Sequence, residues 1–114
     1  RIVQVFRNLI ANALSFSPPG GTITLRIARE TDTIVIAVED EGPGIPLGLE
    51  EAIFDRFYCE RPAGEKFGTH SGLGLSISRQ IVEAHRGTIR AENRIGSDGA
   101  VQGARFIVRL PAAQ

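Results

Sequence analysis

Residues Gly72-Leu73-Gly74-Leu75 open a segment whose apolar spacing predicts an amphipathic helix over 76–85. A second glycine-rich loop, Asp40-Glu41-Gly42-Pro43-Gly44, follows an apolar strand earlier in the chain. Glycine lets the main chain approach a phosphate without a Cβ in the way, and a helix start supplies unpaired N–H groups and a positive dipole end. Two such loops predict one nucleotide held between them, so the sequence indicates an ATP-binding domain.

The composition fits one globular domain spanning residues 1–114. The chain has 114 residues, 42% of them hydrophobic, and thirteen basic side chains balance thirteen acidic ones. A net charge of zero gives no overall field toward nucleic acid or an anionic membrane, so any phosphate binding is local. The single Cys59 excludes an internal disulfide and a four-thiolate metal site. No apolar run reaches the roughly 20 residues of a membrane span, so we expect a soluble, cytoplasmic segment.

Hydrophobic periodicity and turn residues predict the order of the elements. A first helix runs from the start of the chain to about Ser15, and a second ends near His85. Strands are predicted over 22–28 and 33–38, which form a hairpin, and over 88–93 and 105–110, which are joined by a long turn through 96–103. This order predicts an α/β fold, a two-layer α/β sandwich with helices on one face of a mixed, mostly antiparallel sheet. Because the chain begins with Arg1 inside a helical pattern, we expect it to be a fragment of a longer protein.

Two asparagines, Asn8 and Asn12, lie four residues apart on the first helix and therefore on one face, next to its apolar stripe. Burying an amide without a partner costs on the order of 1 to 3 kcal/mol, so a ligand or a metal ion would explain both positions. An amide oxygen suits Mg²⁺, which takes oxygen ligands and keeps waters and substrate phosphates. Hydration or helix packing explains the two residues equally well.

Asp40 stands where the apolar run 34–38 ends and the loop with Gly42 and Gly44 begins. An ionised carboxylate accepts hydrogen bonds and never donates them, so it would favour the exocyclic amine of adenine over the carbonyl that guanine carries there. The alternative is a turn aspartate that is bonded to its own loop. The loop motif by itself does not decide between the two.

Four blocks in order resemble the N, G1, F and G2 boxes of sensor histidine kinases. They are Asn8-Leu9-Ile10-Ala11-Asn12-Ala13, Asp40-Glu41-Gly42-Pro43-Gly44, Ile53-Phe54-Asp55-Arg56-Phe57 and Gly72-Leu73-Gly74-Leu75. Segment 81–111 is similar to the same family, so the resemblance covers nearly the whole chain. It implies the Bergerat fold of the GHKL superfamily, which gyrase, the Hsp90 chaperones and the MutL proteins share. Segments 15–21 and 68–71 resemble the ChvG/ExoS-type kinases of alphaproteobacteria.

The resemblance also implies roles for individual residues. Asn12 is the Mg²⁺ ligand, Asn8 lies beside the phosphates, and Asp40 binds adenine. Arg56 or Arg61 supplies a cation for phosphoryl transfer, unless these arginines only pair with nearby carboxylates. Residues 58–71 match the lid that closes over the nucleotide. The positions implied for nucleotide binding are Asn8, Asn12, Ser15, Asp40, Gly42, Gly44, Ile45, Phe57, Ser71, Gly72, Leu73, Gly74 and Leu75.

Two positions depart from the family pattern. Ser15 stands where many members carry a lysine that reaches the phosphates, and His70 stands in the lid where glycine is more common. Phosphate affinity then rests more on Arg56, Arg61 or Lys66. Asn8 occupies the position of the glutamate that acts as base in gyrase-like ATPases. Because an asparagine cannot accept a proton from water, the resemblance favours a kinase over a hydrolase.

The implied function is that of the ATP-binding catalytic domain of a two-component sensor histidine kinase. Such a domain transfers the γ-phosphoryl group of ATP to a histidine on a separate dimerisation domain, and a response regulator is the onward partner. The implied location is the cytoplasmic side of an inner-membrane sensor protein. Neither histidine of this chain has the helical context of a phosphoacceptor. The alternative function is a nucleotide-responsive interaction module of the same fold without transfer activity, which Ser15 and His70 support.

Overall fold

A computed structural model describes residues 2–55 and 74–112 of the chain. Its elements are α1 (Ile2–Phe16), β1 (Thr24–Glu30), β2 (Thr33–Glu39), a short 3₁₀ helix (Ala52–Phe54), α2 (Gly74–Ala84), β3 (Thr88–Ile95) and β4 (Val101–Pro111). The strands form one sheet in the order β1-β2-β4-β3, and each neighbouring pair is antiparallel. The predicted α/β class is confirmed, and the described part of the sheet is antiparallel throughout.

Helix α1 forms because its apolar residues recur at helical spacing. Val5, Leu9 and Ala13 are buried along one stripe, and this stripe packs against α2 and β2. The helix ends at Phe16 because two prolines follow in 17–19, and a proline cannot continue the hydrogen-bond ladder. One face of α1 is thereby fixed against the rest of the domain.

The core lies between the helices and one face of the sheet. Its fully buried side chains include Leu9, Val82 and Val108, one each from α1, α2 and β4. Phe54 of the 3₁₀ helix packs edge to face on Phe106, with ring centroids 6.2 Å apart. The short 3₁₀ helix is thus anchored to the core through Phe54. None of the described helices is long and apolar enough to cross a membrane.

The prediction of a long turn through Gly103 was wrong. Strand β4 begins at Val101, and Gly103 lies inside it opposite Arg94. A Cβ at Gly103 would overlap the carbonyl oxygen of Asp40, so this glycine permits a close crossing of two main-chain segments. The other strand boundaries differ from the predicted ones by a few residues, as in β1, which begins at Thr24 and continues to Glu30.

Candidate functional site

Asn8 lies between α1 and the start of α2. Its Nδ2 donates to the Oγ of Ser78 at 3.2 Å and to the carbonyl oxygen of Gly74 at 3.4 Å. The Ser78 hydroxyl, which is fully buried, donates to the same carbonyl at 2.8 Å. Packing therefore accounts for the nitrogen of Asn8, while its amide oxygen has no hydrogen-bond donor among residues 2–55 and 74–112. That oxygen is an acceptor held beside a helix start.

Asn12 follows one turn later on α1 and is half-buried. Its side chain makes no hydrogen bond to any other residue that the structure describes, so its amide oxygen is available as a ligand. Ser15 is half-buried near the end of the same helix. Helix α1 thus presents two amide oxygens, from Asn8 and Asn12, at the spacing of a single helical turn.

Asp40 is buried to 2% exposure at the end of β2. Its Oδ1 accepts hydrogen bonds from the main-chain N–H groups of Gly42, at 2.9 Å, and Ala104, at 3.1 Å. Its own main-chain N–H donates to the carbonyl of Ala104 at 2.9 Å. The contact with Gly42 is the turn bond that the sequence left open as an alternative. It uses only Oδ1, however, so Oδ2 still has acceptor capacity in the described part of the chain.

The loop after Asp40 is held in a close approach to neighbouring segments. A Cβ at Gly42 would lie 2.7 Å from the carbonyl oxygen of Phe16, and Gly44 has φ +86° with Asn93 beside it. Both positions therefore require glycine. Asn93 bonds the main chain of Ile45 at two points: its Oδ1 accepts from the N–H at 2.6 Å, and its Nδ2 donates to the carbonyl at 2.9 Å. Ile45 itself is buried.

Gly74 begins α2 and has a different environment. Apart from its chain neighbours and the main chain of its own helix, no atom of the described residues lies within 4 Å of a Cβ placed on it, so contacts with other described segments do not require a glycine there. The first N–H groups of a helix have no partner within the helix, and together with the dipole they favour an anion. Leu75 packs at the margin of the core. The start of α2 is thus anchored by Leu75 and open beside Gly74.

Six predicted site residues lie outside the described residues, together with the predicted lid over 58–71. They are Arg56, Phe57, Arg61, Ser71, Gly72 and Leu73.

A buried carboxylate precedes the loop on the same strand. Glu39, 4% exposed, accepts hydrogen bonds through Oε2 from the Nε atoms of Arg26, at 3.1 Å, and Arg105, at 2.9 Å. Burial raises the pKa of Glu39, but the hydrogen bonds and charges of Arg105 and Arg26 outweigh it, so the pKa is lowered. Hydrogen bonds to Glu92 and Glu39 raise the pKa of Arg105. This ionised network holds the end of β2 against β1 and β4.

Sequence reasoning missed the residues that support the site from a distance. Asn93 accepts a hydrogen bond from Ile45, Ala104 donates one to Asp40, and Ser78 accepts one from Asn8. Arg94 also donates to the carbonyl oxygen of Asp40 at 2.7 Å. These contacts join residues 48 to 70 positions apart, so no local spacing reveals them. Among these contacts, the usable signal in the sequence was Gly103, which precedes Ala104 and lets the main chain of Asp40 pass close to β4.

The donor set fits a magnesium–nucleotide complex. Asp40 offers a carboxylate oxygen for an exocyclic amine, α1 offers amide oxygens for a hard cation, and the open start of α2 suits phosphate. Within 2–55 and 74–112, no three His, Cys, Asp or Glu side chains gather to hold a metal ion. A Mg²⁺ that takes most of its ligands from phosphates and water needs no such cluster.

Comparison with known proteins gives consistent matches along the chain. The family model described as histidine kinase-, DNA gyrase B-, and HSP90-like ATPase matches residues 1–114. Sensor protein ChvG of Rhizobium meliloti is 56% identical over 113 residues, which is 98% of this chain and 20% of the relative. The chain thus spans about a fifth of the curated relatives that it matches.

Two solved structures illustrate the likeness of the fold. The mycobacterial sensor histidine kinase MprB superposes with a TM-score of 0.80 at 30% identity, over 95% of this chain and 68% of that one. The histidine kinase ThkA in complex with the response regulator protein TrrA gives a TM-score of 0.76 at 33% identity, over 99% of this chain and 29% of that one.

Proposed function

Because this chain belongs to the family of histidine kinase-, DNA gyrase B-, and HSP90-like ATPases, and is the ATP-binding catalytic domain of a sensor histidine kinase, we propose that it phosphorylates a histidine of its own protein. The resemblance to sensor histidine kinases, carried by four short boxes, is confirmed, and so is the resemblance to ChvG-type kinases, carried by segments 15–21 and 68–71. The acceptor histidine lies on a separate dimerisation domain, and a response regulator receives the phosphoryl group next.

The observation that carries this proposal is the position of Asn8. A carboxylate at this place, beside the start of α2, would be a base for water, whereas the amide that occupies it cannot accept a proton. A neutral imidazole brings its own lone pair and needs no such base to attack the γ-phosphorus. Asn8 therefore favours transfer to histidine over hydrolysis.

Adenine recognition rests on Asp40. Its Oδ1 is occupied by two main-chain N–H groups, which fixes the carboxylate plane and leaves Oδ2 to accept the exocyclic amino proton of adenine. Gly42 and Gly44 let the loop lie close to the base. Ile45, which is buried behind the loop, completes this part of the site.

Phosphate binding rests on α1 and on the start of α2. Asn12 holds Mg²⁺ through its amide oxygen, and Gly74 and Leu75, with Ser71, Gly72 and Leu73 before them, contact the triphosphate. Magnesium supplies charge neutralisation on the phosphates. Phe57 and Ser15 border the nucleotide, and a cation from Arg56 or Arg61 stabilises the charge that spreads over the transferring group.

The partners of the domain follow from this proposal. ThkA has been solved with the response regulator protein TrrA, which supports a regulator as the onward partner here. The dimerisation domain belongs to the same protein, and the catalytic domain faces the cytoplasm beneath an inner-membrane sensor. The chain itself makes no contact with nucleic acid or membrane.

The test adds a histidine-bearing dimerisation domain of a sensor histidine kinase to this chain with ATP labelled on the γ-phosphate. We expect acid-labile, base-stable label on the added domain and little free phosphate. Nucleotide binding without transfer would contradict the kinase proposal and favour the interaction module. Steady phosphate release by the chain alone would instead indicate a gyrase-like hydrolase.

A further inference from the structure

We propose that Asn93 is a positioning residue for the nucleotide: it locks the loop from Asp40 to Ile45 in its binding conformation before the nucleotide arrives. The inference rests on the proposed function, since it concerns the adenine side of the same site. Asn93 lies on β3 and is 48 residues from the main chain that it holds.

The contact is unusual in engaging both main-chain groups of one residue. Asn93 accepts from the N–H of Ile45 at 2.6 Å and donates to its carbonyl at 2.9 Å. The carboxamide thus makes the two hydrogen bonds that the main chain of a paired strand would make. Gly44, at φ +86°, brings the loop close enough for this contact. A Cβ at Gly44 would lie 2.6 Å from the Oδ1 of Asn93, so no larger residue fits between them.

The other end of the loop is bonded to Ala104, the residue of β4 that faces Asn93 in the sheet. Asn93 pairs with Ala104 across β3 and β4. The N–H of Ala104 donates to the carboxylate of Asp40, and the carbonyl oxygen of Ala104 accepts from the N–H of Asp40. Arg94 adds a bond to the carbonyl of Asp40. The loop thus leaves the sheet at Ala104, whose main-chain groups bond the N–H and the carboxylate of Asp40, and it returns to the sheet at Asn93, which bonds it through a side chain.

This asymmetry has a specific consequence. Removing the carboxamide takes both main-chain hydrogen bonds from the Ile45 end of the loop, which then depends on the burial of the Ile45 side chain, and leaves the Asp40 end bonded to Ala104. The free protein would then sample several loop conformations, and binding would have to restore one of them, which weakens affinity without removing any contact to the ligand. Adenine selectivity should fall too, because Asp40 reads the base from a loop that is no longer fixed.

The experiment compares the wild-type chain with the Asn93→Ala variant. Kd is measured by calorimetry for non-hydrolysable analogues of ATP and GTP with Mg²⁺, and amide hydrogen exchange is followed in the free protein. We expect roughly tenfold weaker binding of the ATP analogue if the binding conformation of the loop falls to about a tenth of the free population, with a smaller change for the GTP analogue. Exchange should accelerate at the amide of Ile45 and stay unchanged at Ala104.

The Asp98→Ala variant is the matched control. Asp98 Oδ1 accepts the N–H of Ala100 at 3.0 Å, so this change removes the same kind of side-chain bond from the turn between β3 and β4. Its affinities should match those of the wild type. If Asn93→Ala fails to fold, Asn93→Ser replaces it, because a hydroxyl is too short to reach both groups of Ile45, and the same loss is expected.

The outcomes separate the two claims. Faster exchange at Ile45 with an unchanged Kd and an unchanged ratio of ATP to GTP affinity would make Asn93 merely structural and overturn the inference. An equal loss for both analogues would do the same, because general destabilisation does not distinguish the bases. A wild-type chain that is folded and binds neither analogue would contradict the proposed function itself.

Discussion

Replacing Asp40 by asparagine exchanges one acceptor for a donor in a known orientation. The Oδ1 of Asp40 accepts from the N–H groups of Gly42 and Ala104, and only an oxygen can serve both. The amide of the variant must therefore place its oxygen there and its NH₂ group where Oδ2 now lies. A donor would then face the exocyclic amine of adenine, which is also a donor.

The expected magnitude follows from this exchange. A hydrogen bond to a charged group contributes about 1.5 to 3 kcal/mol, which corresponds to roughly 10- to 100-fold in affinity for ATP. The GTP analogue should gain affinity, because its carbonyl can accept from the new amide. Folding should suffer little, about 1 kcal/mol, since both main-chain donors keep an acceptor. The Asp40→Ala variant, by contrast, leaves two buried donors unpaired and should lose about 3 kcal/mol.

Calorimetric titration of both analogues, with thermal unfolding of each variant, checks the prediction. Glu92→Gln is the control, because it also removes one carboxylate, from a half-exposed ion pair with Arg105, and leaves the bond between Arg105 and Glu39 in place. Its ratio of ATP to GTP affinity should equal that of the wild type. A folded Asp40→Asn protein that keeps the wild-type ratio would refute the assignment of Asp40 to the base.

Three further predictions concern folding. Gly103→Ala places a methyl group against the carbonyl of Asp40, so we expect a loss of about 3 kcal/mol in denaturant unfolding. Leu9→Ala empties a fully buried position and should lose about 2 to 5 kcal/mol in the same measurement. The lowered pKa of Glu39 stabilises the fold above its ordinary value of 4.5, and that stability is lost as the pH falls through the lower folded value. Glu39→Gln should therefore flatten the acid limb of a plot of Tm against pH.

Each folding prediction has a contrary result. Unchanged stability in Gly103→Ala would mean that the loop does not cross β4 as closely as described. Unchanged stability in Leu9→Ala would contradict the packing of α1 on the sheet. An acid limb as steep in Glu39→Gln as in the wild type would show that the network with Arg105 does not depress that pKa.

The sequence was sufficient for features that depend on neighbours along the chain. Helix α1 was predictable because apolar residues such as Ile2, Phe6 and Leu9 recur at helical spacing, although the stripe that the helix buries is Val5, Leu9 and Ala13. The first hairpin was predictable because two strand patterns are separated by a short turn. Asp40 was correctly placed at the end of a strand. Its two alternatives proved compatible, because the turn bond uses one carboxylate oxygen and leaves the other.

Features that depend on distant segments were not predictable. Gly103 has the surroundings of a turn glycine in the sequence, yet it lies in β4. It is a glycine because the main chain of Asp40 passes too close for a Cβ. Asn93 gives no local signal, since its partner Ile45 lies in a loop 48 residues earlier in the chain. The roles assigned to Asn12 and the remaining site residues stay predictions until ligand binding is measured.

The most direct measurement is a calorimetric titration of the chain with a non-hydrolysable ATP analogue, with and without Mg²⁺, in the wild type and in Asn12→Ala. We expect Mg²⁺ to strengthen binding in the wild type, and we expect that gain to disappear in the variant at equal thermal stability. A folded wild-type chain that does not bind the analogue, or a gain from Mg²⁺ that persists in Asn12→Ala, would contradict the proposed nucleotide site.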